Sequence, residues 1–267
     1  MSRVRTSDVT SVVDAARAHY ADDRIAQRML DEFDLRLREP VRIAVAGMVK
    51  AGKSTLLNAL IGEAIAPTDA GECTRAVTWY RHAHTPGITA QLRDGTQRRL
   101  PIGRIGGRID LDAARLSADD VERIDVGWPA EALRANILID TPGVGSLSPS
   151  TSERSTRFLA SPETSPDADA VIYLLRHLHA TDLSFLESFR DAGGHSIRTI
   201  SAIAVLSRAD EIGSGRIDSM LSASRIADRY RRDGEMRALT LGTIPIAGLL
   251  AEGGRTLREE EFDVFRR

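Results

Sequence analysis

Residues 47–55 read GMVKAGKST, directly after the apolar run VRIAVA and directly before LLNALIG. This order restricts the fold more than any other feature of the chain. A buried strand must end in a glycine turn that opens a helix, so the helix N-terminus and consecutive backbone N–H groups converge on one point. Gly47 and Gly52 let the backbone close round an anion, with Val49, Lys50, Ala51 and Thr55 contributing to the same loop. Lys53 then neutralises the outer phosphates and Ser54 supplies a hydroxyl for Mg²⁺. The expected ligand is a nucleoside triphosphate.

Around this motif the apolar pattern predicts a wound α/β domain. Val41 to Ala46 is almost unbroken in apolar character, which suits a strand buried on both faces. Similar runs recur at Asn136 to Ile139, Asp169 to Leu175, Ile200 to Leu206 and Leu241 to Ile246, separated by helix-like stretches. Alternating strands and helices predict a mostly parallel central sheet. Ala76 to His82, Ile88 to Arg93 and Gln97 to Pro101 break the alternation, and Asp94-Gly95 reads as a turn, so an antiparallel portion is expected there. The Gly- and Arg-rich stretch from Gly103 to Ala118 reads as an irregular surface insertion. Residues 7–38 lack Gly and Pro and space their apolar side chains helically, giving a helical preface that Pro40 closes. The predicted division is therefore 1–39 helical segment, 40–256 nucleotide domain, and 257–267 the start of a further helix.

Ligands of a wound sheet sit at the carboxyl ends of its strands. One strand finishes in DTPG, where Asp140 can reach Mg²⁺ through a water and Gly143 can bring its N–H to a γ-phosphate without steric obstruction. Another finishes in SRAD, Ser207 to Asp210. A bare SRAD also suits a helix cap. At a strand end, however, Asp210 can accept two hydrogen bonds from guanine N1 and N2 and meets mismatched groups on adenine. Arg208 can lay its planar guanidinium against the base. Gly248, after the last strand, is the candidate for backbone contact with the base.

Composition excludes several functional classes. The 36 basic and 38 acidic residues of this 267-residue chain leave a formal charge of −2, so no general field draws it to nucleic acid or anionic lipid. Cys73 is the single cysteine, which rules out an internal disulfide framework and fits a reducing compartment. No apolar run is long enough to cross a bilayer and the N-terminus has no apolar signal core, so the expectation is cytoplasmic. His82 with His84, and His177 with His179, would each share a strand face, but neither pair has a cysteine or acid at ligand spacing. They read as solvent-facing strand ends. Glu259, Glu260 and Glu261 read as a solvated helix face.

Taken in order, GMVKAGKSTLLNALIG, APTDAGECTRAVTWYRH, LIDTPGVGSL, VIYLLR and SRADEIGSGRID resemble the bacterial dynamin-like GTPases, most closely the isoniazid-inducible proteins of mycobacteria, the IniC type in particular. The resemblance covers nearly the whole chain. It implies a head that binds GTP and GDP with Mg²⁺ and hydrolyses GTP, with Thr74 as the switch threonine completing the Mg²⁺ shell. Thr68 and Thr78 compete for that role. It implies that the helical preface belongs to a neck bundle, that heads pair as homodimers or heterodimers, and that family members remodel membranes under envelope stress. In such a full-length protein the membrane is reached through a stalk, at the inner face of the plasma membrane.

The sequence departs from the family pattern in two ways. Where eukaryotic dynamins carry a water-positioning glutamine and then a serine, this chain has Val49 and Lys50. Valine cannot orient water through a side-chain hydrogen bond, so hydrolysis must use backbone groups or a partner, or be slow. Lys50 either offers a fixed charge in place of a borrowed ion, with Thr74 and Lys53 as its catalytic neighbours, or is a solvated side chain. The chain also stops at LREEEFDVFRR, within an expected helix, where relatives continue into a stalk. The rival readings are a scaffold that binds GTP but hydrolyses it negligibly, and an Era-like ribosome-assembly GTPase. The near-neutral charge and the lack of an appended RNA-binding domain stand against the latter.

Overall fold

The computed structural model describes residues 6–67, 76–105, 108–110, 120–143, 168–192, 201–257 and 259–266. Two compact units divide the chain, Met1–Pro40 and Val41–Arg267.

The helical preface predicted from sequence consists of two helices in the first unit, α1 (Thr6–His19) and α2 (Arg24–Arg38). The break has a local cause. The Asp23 carboxylate accepts from the N–H groups of Ile25 and Ala26 at 2.9 and 3.1 Å, capping a new helix at the point where the first one ends. Gln27 Nε2 then donates to the carbonyls of Arg17 and Tyr20, both at 2.8 Å, tying the second helix to the end of the first.

The second unit is built on a nine-stranded sheet. Its strands are β1 (Val41–Gly47), β2 (Val77–His82), β3 (Gly87–Leu92), β4 (Gln97–Leu100), β7 (Val121–Trp128), β8 (Asn136–Asp140), β9 (Ala170–Leu175), β10 (Ala202–Leu206) and β11 (Thr243–Pro245). Their spatial order is β11-β10-β9-β1-β8-β2-β7-β3-β4, and a separate pair is formed by β5 (Gly103–Ile105) and β6 (Arg108–Asp110). The strands β8, β1, β9, β10 and β11 run parallel to one another. At the other end β2 is antiparallel to β8, β7 is parallel to β2, and β3 is antiparallel to both β7 and β4. The fold is therefore mixed α/β, mostly parallel, with an antiparallel portion.

This end holds one strand that no apolar run announced, and one expectation needs correction. β2 and β3 are not neighbours, because β7 lies between them. Its sequence, VERIDVGW, mixes charged with apolar residues, so it lacks the unbroken apolar run by which the other strands were found. The Gly103–Ala118 stretch opens as the β5–β6 hairpin. Residues 106–107 and 111–118 lie outside the described residues.

Among the described residues the helices of this unit are α3 (Lys53–Ile61), α4 (Ala132–Ala135), α5 (Ala180–Ala192), α6 (Ser219–Arg232), α7 (Gly234–Leu239), α8 (Gly248–Thr256) and α9 (Glu259–Arg266). Strand alternation sends side chains to two cores. Ala44, Ala46, Trp79, Ile139 and Tyr173 face Leu186 of α5, Ala223 of α6 and Met236 of α7. Val45, Tyr80, Leu138, Leu174 and Val205 face Leu57 and Ile61 of α3 and Leu133 of α4. Completely burying a side chain such as Leu57 or Ile139, both 0% exposed, is worth about 1.5–3 kcal/mol. Because both faces are filled, the parallel strand ends remain the open edge where a ligand can be received.

Candidate nucleotide-binding site

β1 ends at Gly47, whose φ of 143° and close neighbour both demand glycine. A Cβ there would stand 2.3 Å from the Leu174 carbonyl oxygen on β9. The turn that follows passes through Lys50, left-handed at φ 62°, and Gly52, at φ 95°, which caps α3 without a side chain. With no capping side chain, the first N–H groups of α3 are directed at the space above the strand ends, an arrangement suited to an anion.

Lys53 is buried, at 8% exposure, and its Nζ donates to the carbonyls of Gly47 and Met48 at 3.2 Å each. The ammonium is thus folded back over the loop that would cradle phosphate. Ser54 Oγ donates to Asp140 Oδ2 at 3.3 Å, joining α3 to the end of β8. Asp140 is 0% exposed, and its charge reaches Tyr80 on the adjacent strand. Burial first, and then that charge, hold the Tyr80 phenol well above its ordinary pKa. Ser54 and Asp140 together form a pair of hard oxygens of the kind Mg²⁺ prefers, so the donor set fits that ion.

After Asp140 the chain is pinned by Thr141, whose N–H and Oγ1 donate to the Val45 carbonyl at 3.3 and 3.0 Å. Gly143 follows, and a Cβ there would stand 2.7 Å from Val49 Cγ2. The valine of the phosphate loop therefore packs against the DTPG turn, and the turn needs glycine for that approach.

A cavity of about 170 Å³ opens at the carboxyl ends of the parallel strands. Ala51, Gly52 and Thr55 line one side, and Ser207, Arg208 and Asp210 the other. Gly248 is the first residue of α8 and closes the cavity beside Leu249. Ser207 is held in place by N–H and Oγ bonds to the Leu175 carbonyl at 2.9 and 3.2 Å. Arg208 is a second left-handed non-glycine residue, φ 52° and ψ 42°, and precedes a short 3₁₀ turn at Ala209–Glu211. Its Nη2 donates to the Lys50 carbonyl at 3.1 Å.

Of the site residues named from sequence, Ala51, Gly52, Thr55, Ser207, Arg208, Asp210 and Gly248 line the cavity, whereas Gly47, Val49, Lys50, Lys53, Ser54, Asp140 and Gly143 do not line it and are tied to the loop by the contacts above. Thr74, with its competitor Thr68, lies outside the described residues. Thr78 is buried on β2 in register with Asp140 and donates to the Ala76 carbonyl at 3.4 Å. Sequence reasoning missed Glu211, which also lines the cavity and pairs with Arg208. A carboxylate directly after a candidate base-reading aspartate was the available signal. The histidine pairs remain pairs: their ring centroids are 5.4 Å apart for His82 and His84 and 6.5 Å for His177 and His179. Among the described residues no group of three or more His, Cys, Asp or Glu side chains could hold a metal.

The isoniazid-induced protein IniC of Mycobacterium tuberculosis is 47% identical over 238 residues, covering 89% of this chain and 48% of IniC. IniA of the same organism, also isoniazid-induced, is 33% identical over 144 residues, covering 51% of this chain and 21% of IniA. The chain thus spans about half of IniC, at 48%, and a smaller part of IniA. Among solved structures, a chain from an oligomerised bacterial dynamin pair matches with a TM-score of 0.54 at 17% identity, over 83% of this chain and 33% of that one. That likeness is one of fold. A sequence model of the dynamin family matches residues 43–201, from the strand before the phosphate loop to the start of the strand that carries SRAD. The chain belongs to the dynamin family.

Proposed function

We propose that this chain is a GTPase head that binds GTP and GDP in the cavity between the phosphate loop and Arg208–Asp210, and that it hydrolyses GTP with Mg²⁺. The observation that carries the reading is the convergence of Gly52, Arg208, Asp210 and Gly248 on one cavity at the strand ends. Backbone N–H groups of the loop and the start of α3 receive the phosphates. Lys53 Nζ exchanges its bonds to Gly47 and Met48 for phosphate oxygens. Ser54 would hold Mg²⁺ directly, with Asp140 behind it and Thr74 completing the shell. Bound there, Mg²⁺ neutralises charge on the β- and γ-phosphates. Gly143 offers its N–H to the γ-phosphate, and Asp210 reads guanine N1 and N2.

In a protein of IniC's length this head would couple GTP turnover to membrane remodelling or an envelope-stress response, with residues 1–39 in a neck and heads pairing across their nucleotides. The supporting observations are the similarity to IniC and the fold shared with a bacterial dynamin pair described as sensing and tethering membranes. Among the described residues no helix is long and apolar enough to cross a membrane.

A second reading, a scaffold that binds GTP and hydrolyses it negligibly, is favoured by the contact between Val49 and Gly143. An apolar side chain occupies the place from which a polar one would direct water.

The test is equilibrium binding of fluorescent GDP competed by GTP and ATP. GTP should displace the probe far better than ATP, and Asp210→Asn should narrow that difference. Equal competition by ATP and GTP in the unaltered chain removes the guanine assignment.

A further inference from the structure

We infer that Glu211 is a positioning residue for the nucleotide base, acting by fixing the plane of the Arg208 guanidinium. The inference rests on the guanine-nucleotide reading above and adds the group that determines how tightly, rather than which, base is held.

Arg208 is anchored from two sides. Its Nη1 donates to Glu211 Oε1 at 2.9 Å, and its Nη2 donates to the Lys50 carbonyl of the phosphate loop at 3.1 Å. A guanidinium is planar, so bonds to two different nitrogens from two different elements leave it little freedom to turn. The other carboxylate oxygen of Glu211, Oε2, accepts from Arg176 Nη2 at 3.2 Å, just past the end of β9. Glu211 therefore bridges two arginines and is itself restrained. Both Arg208 and Lys50 hold left-handed backbone conformations, at φ 52° and 62°, so the hydrogen bond joins two strained turns, one in the cavity lining and one directly before Ala51 of that lining. Arg208 and Glu211 both line that cavity.

Without Glu211, the Arg208 side chain, 38% exposed, gains freedom to swing into solvent. The base then loses a pre-set stacking face, and the phosphate loop loses its bond at Lys50. An isolated exposed ion pair contributes little. Here the pair matters because it is one of two anchors on a group that must be in place before the base arrives, and pre-organisation lowers the ordering cost of binding.

Stacking does not distinguish bases that differ in one exocyclic group, whereas Asp210 does. The experiment therefore measures dissociation constants for GDP and for inosine diphosphate, which lacks the 2-amino group, on the full chain and its Glu211→Gln, Arg208→Ala and double variants, with melting temperatures alongside. Glu211→Gln should weaken both nucleotides by a common factor of about five, the scale of one pair within a charged network. The ratio between GDP and inosine diphosphate should stay at the parent value. Adding Glu211→Gln to Arg208→Ala should have no further effect, because the anchored group is already gone. Parent-like binding by Glu211→Gln overturns the inference, as does an undiminished effect in the Arg208→Ala background. A changed GDP to inosine diphosphate ratio also overturns it, by showing action through Asp210. A parent chain that binds no guanine nucleotide overturns the functional reading itself, a result distinct from all of these.

Discussion

Asn58 Nδ2 on α3 donates to Glu252 Oε1 on α8 at 2.9 Å, joining the helix that starts at the phosphate loop to the helix that starts at Gly248 beside the base cavity. The amide uses its full capacity. It also donates to the Ala66 carbonyl at 3.0 Å, and its Oδ1 accepts from the N–H groups of Ile65 and Ala66 at 3.0 and 2.7 Å. Asn58 is 0% and Glu252 5% exposed, so no water-facing substitute is at hand.

Asn58→Ala should therefore destabilise the chain by about 3 kcal/mol or more, since it strands the Ala66 N–H and carbonyl and the buried Glu252 carboxylate together, while the Ile65 N–H keeps its bond to the Glu63 carbonyl at 3.0 Å. Glu252→Gln, which keeps an acceptor, should cost much less. Urea denaturation of the two variants checks this, and an Asn58→Ala midpoint equal to the parent's would remove the network's structural importance.

The two loop glycines should respond differently to alanine. At Gly47 the new Cβ would collide with the Leu174 carbonyl at 2.3 Å, and backbone on β9 cannot yield cheaply. Gly47→Ala should lose both stability and nucleotide binding. At Gly52 nothing lies within 4 Å, so only the φ of 95° resists substitution, at a cost of about 1–2 kcal/mol. A folded Gly47→Ala protein with parent-like GDP affinity would contradict the role given to the β1–β9 contact.

Two buried tyrosines set an alkaline limit. Tyr173 Oη donates to Asp182 Oδ1 at 2.6 Å, and burial first, then that bond and the carboxylate charge, raise its pKa. Tyr80 is raised by burial and by Asp140. In both, the folded state keeps the proton to higher pH than the unfolded state. Their contribution is fully present below the ordinary value of 10.0 and is lost as pH rises above it. Each should add a slope of about 1.4 kcal/mol per pH unit in that window. Tyr80→Phe should flatten the decline measured by denaturant unfolding from pH 9 to 11; an unchanged slope would show that Tyr80 ionises as freely folded as unfolded.

The parallel half of the fold was legible because the carboxyl-terminal part of β1, Ala44 to Gly47, and the ends of its companions are buried on both faces, and that burial writes itself as apolar runs; Val41, at the start of the run, is exposed. β7 was not legible, because Glu122, Arg123 and Asp125 interrupt it: Arg123 Nε meets Asp125 Oδ2 at 3.1 Å, a pairing that lets charge sit on a strand. The phosphate loop, DTPG and SRAD were legible as local strings in the correct order. The Arg208 to Lys50 bond and the Asn58 to Glu252 bond link positions 158 and 194 residues apart, and no local pattern announces them.

The phosphate loop's lysines should separate binding from turnover. Lys53→Ala should abolish GDP binding or nearly so, leaving backbone dipoles alone against several negative oxygens. Lys50 is exposed, and Lys50→Ala should keep GDP affinity. If the residue is a surface charge, turnover should change by less than about threefold. If it acts in a site dried by a second head, the variant should lose any rise of specific activity with protein concentration.

The central claim is tested most directly by GTP turnover per molecule of the unaltered chain, measured across protein concentrations with Mg²⁺, beside ATP and the Lys53→Ala variant as controls. The expected result is slow GTP hydrolysis that rises per molecule with concentration, with neither ATP turnover nor activity in Lys53→Ala. GTP bound but never hydrolysed at any concentration would contradict the enzyme and leave the scaffold, and equal turnover of ATP and GTP would contradict the guanine site.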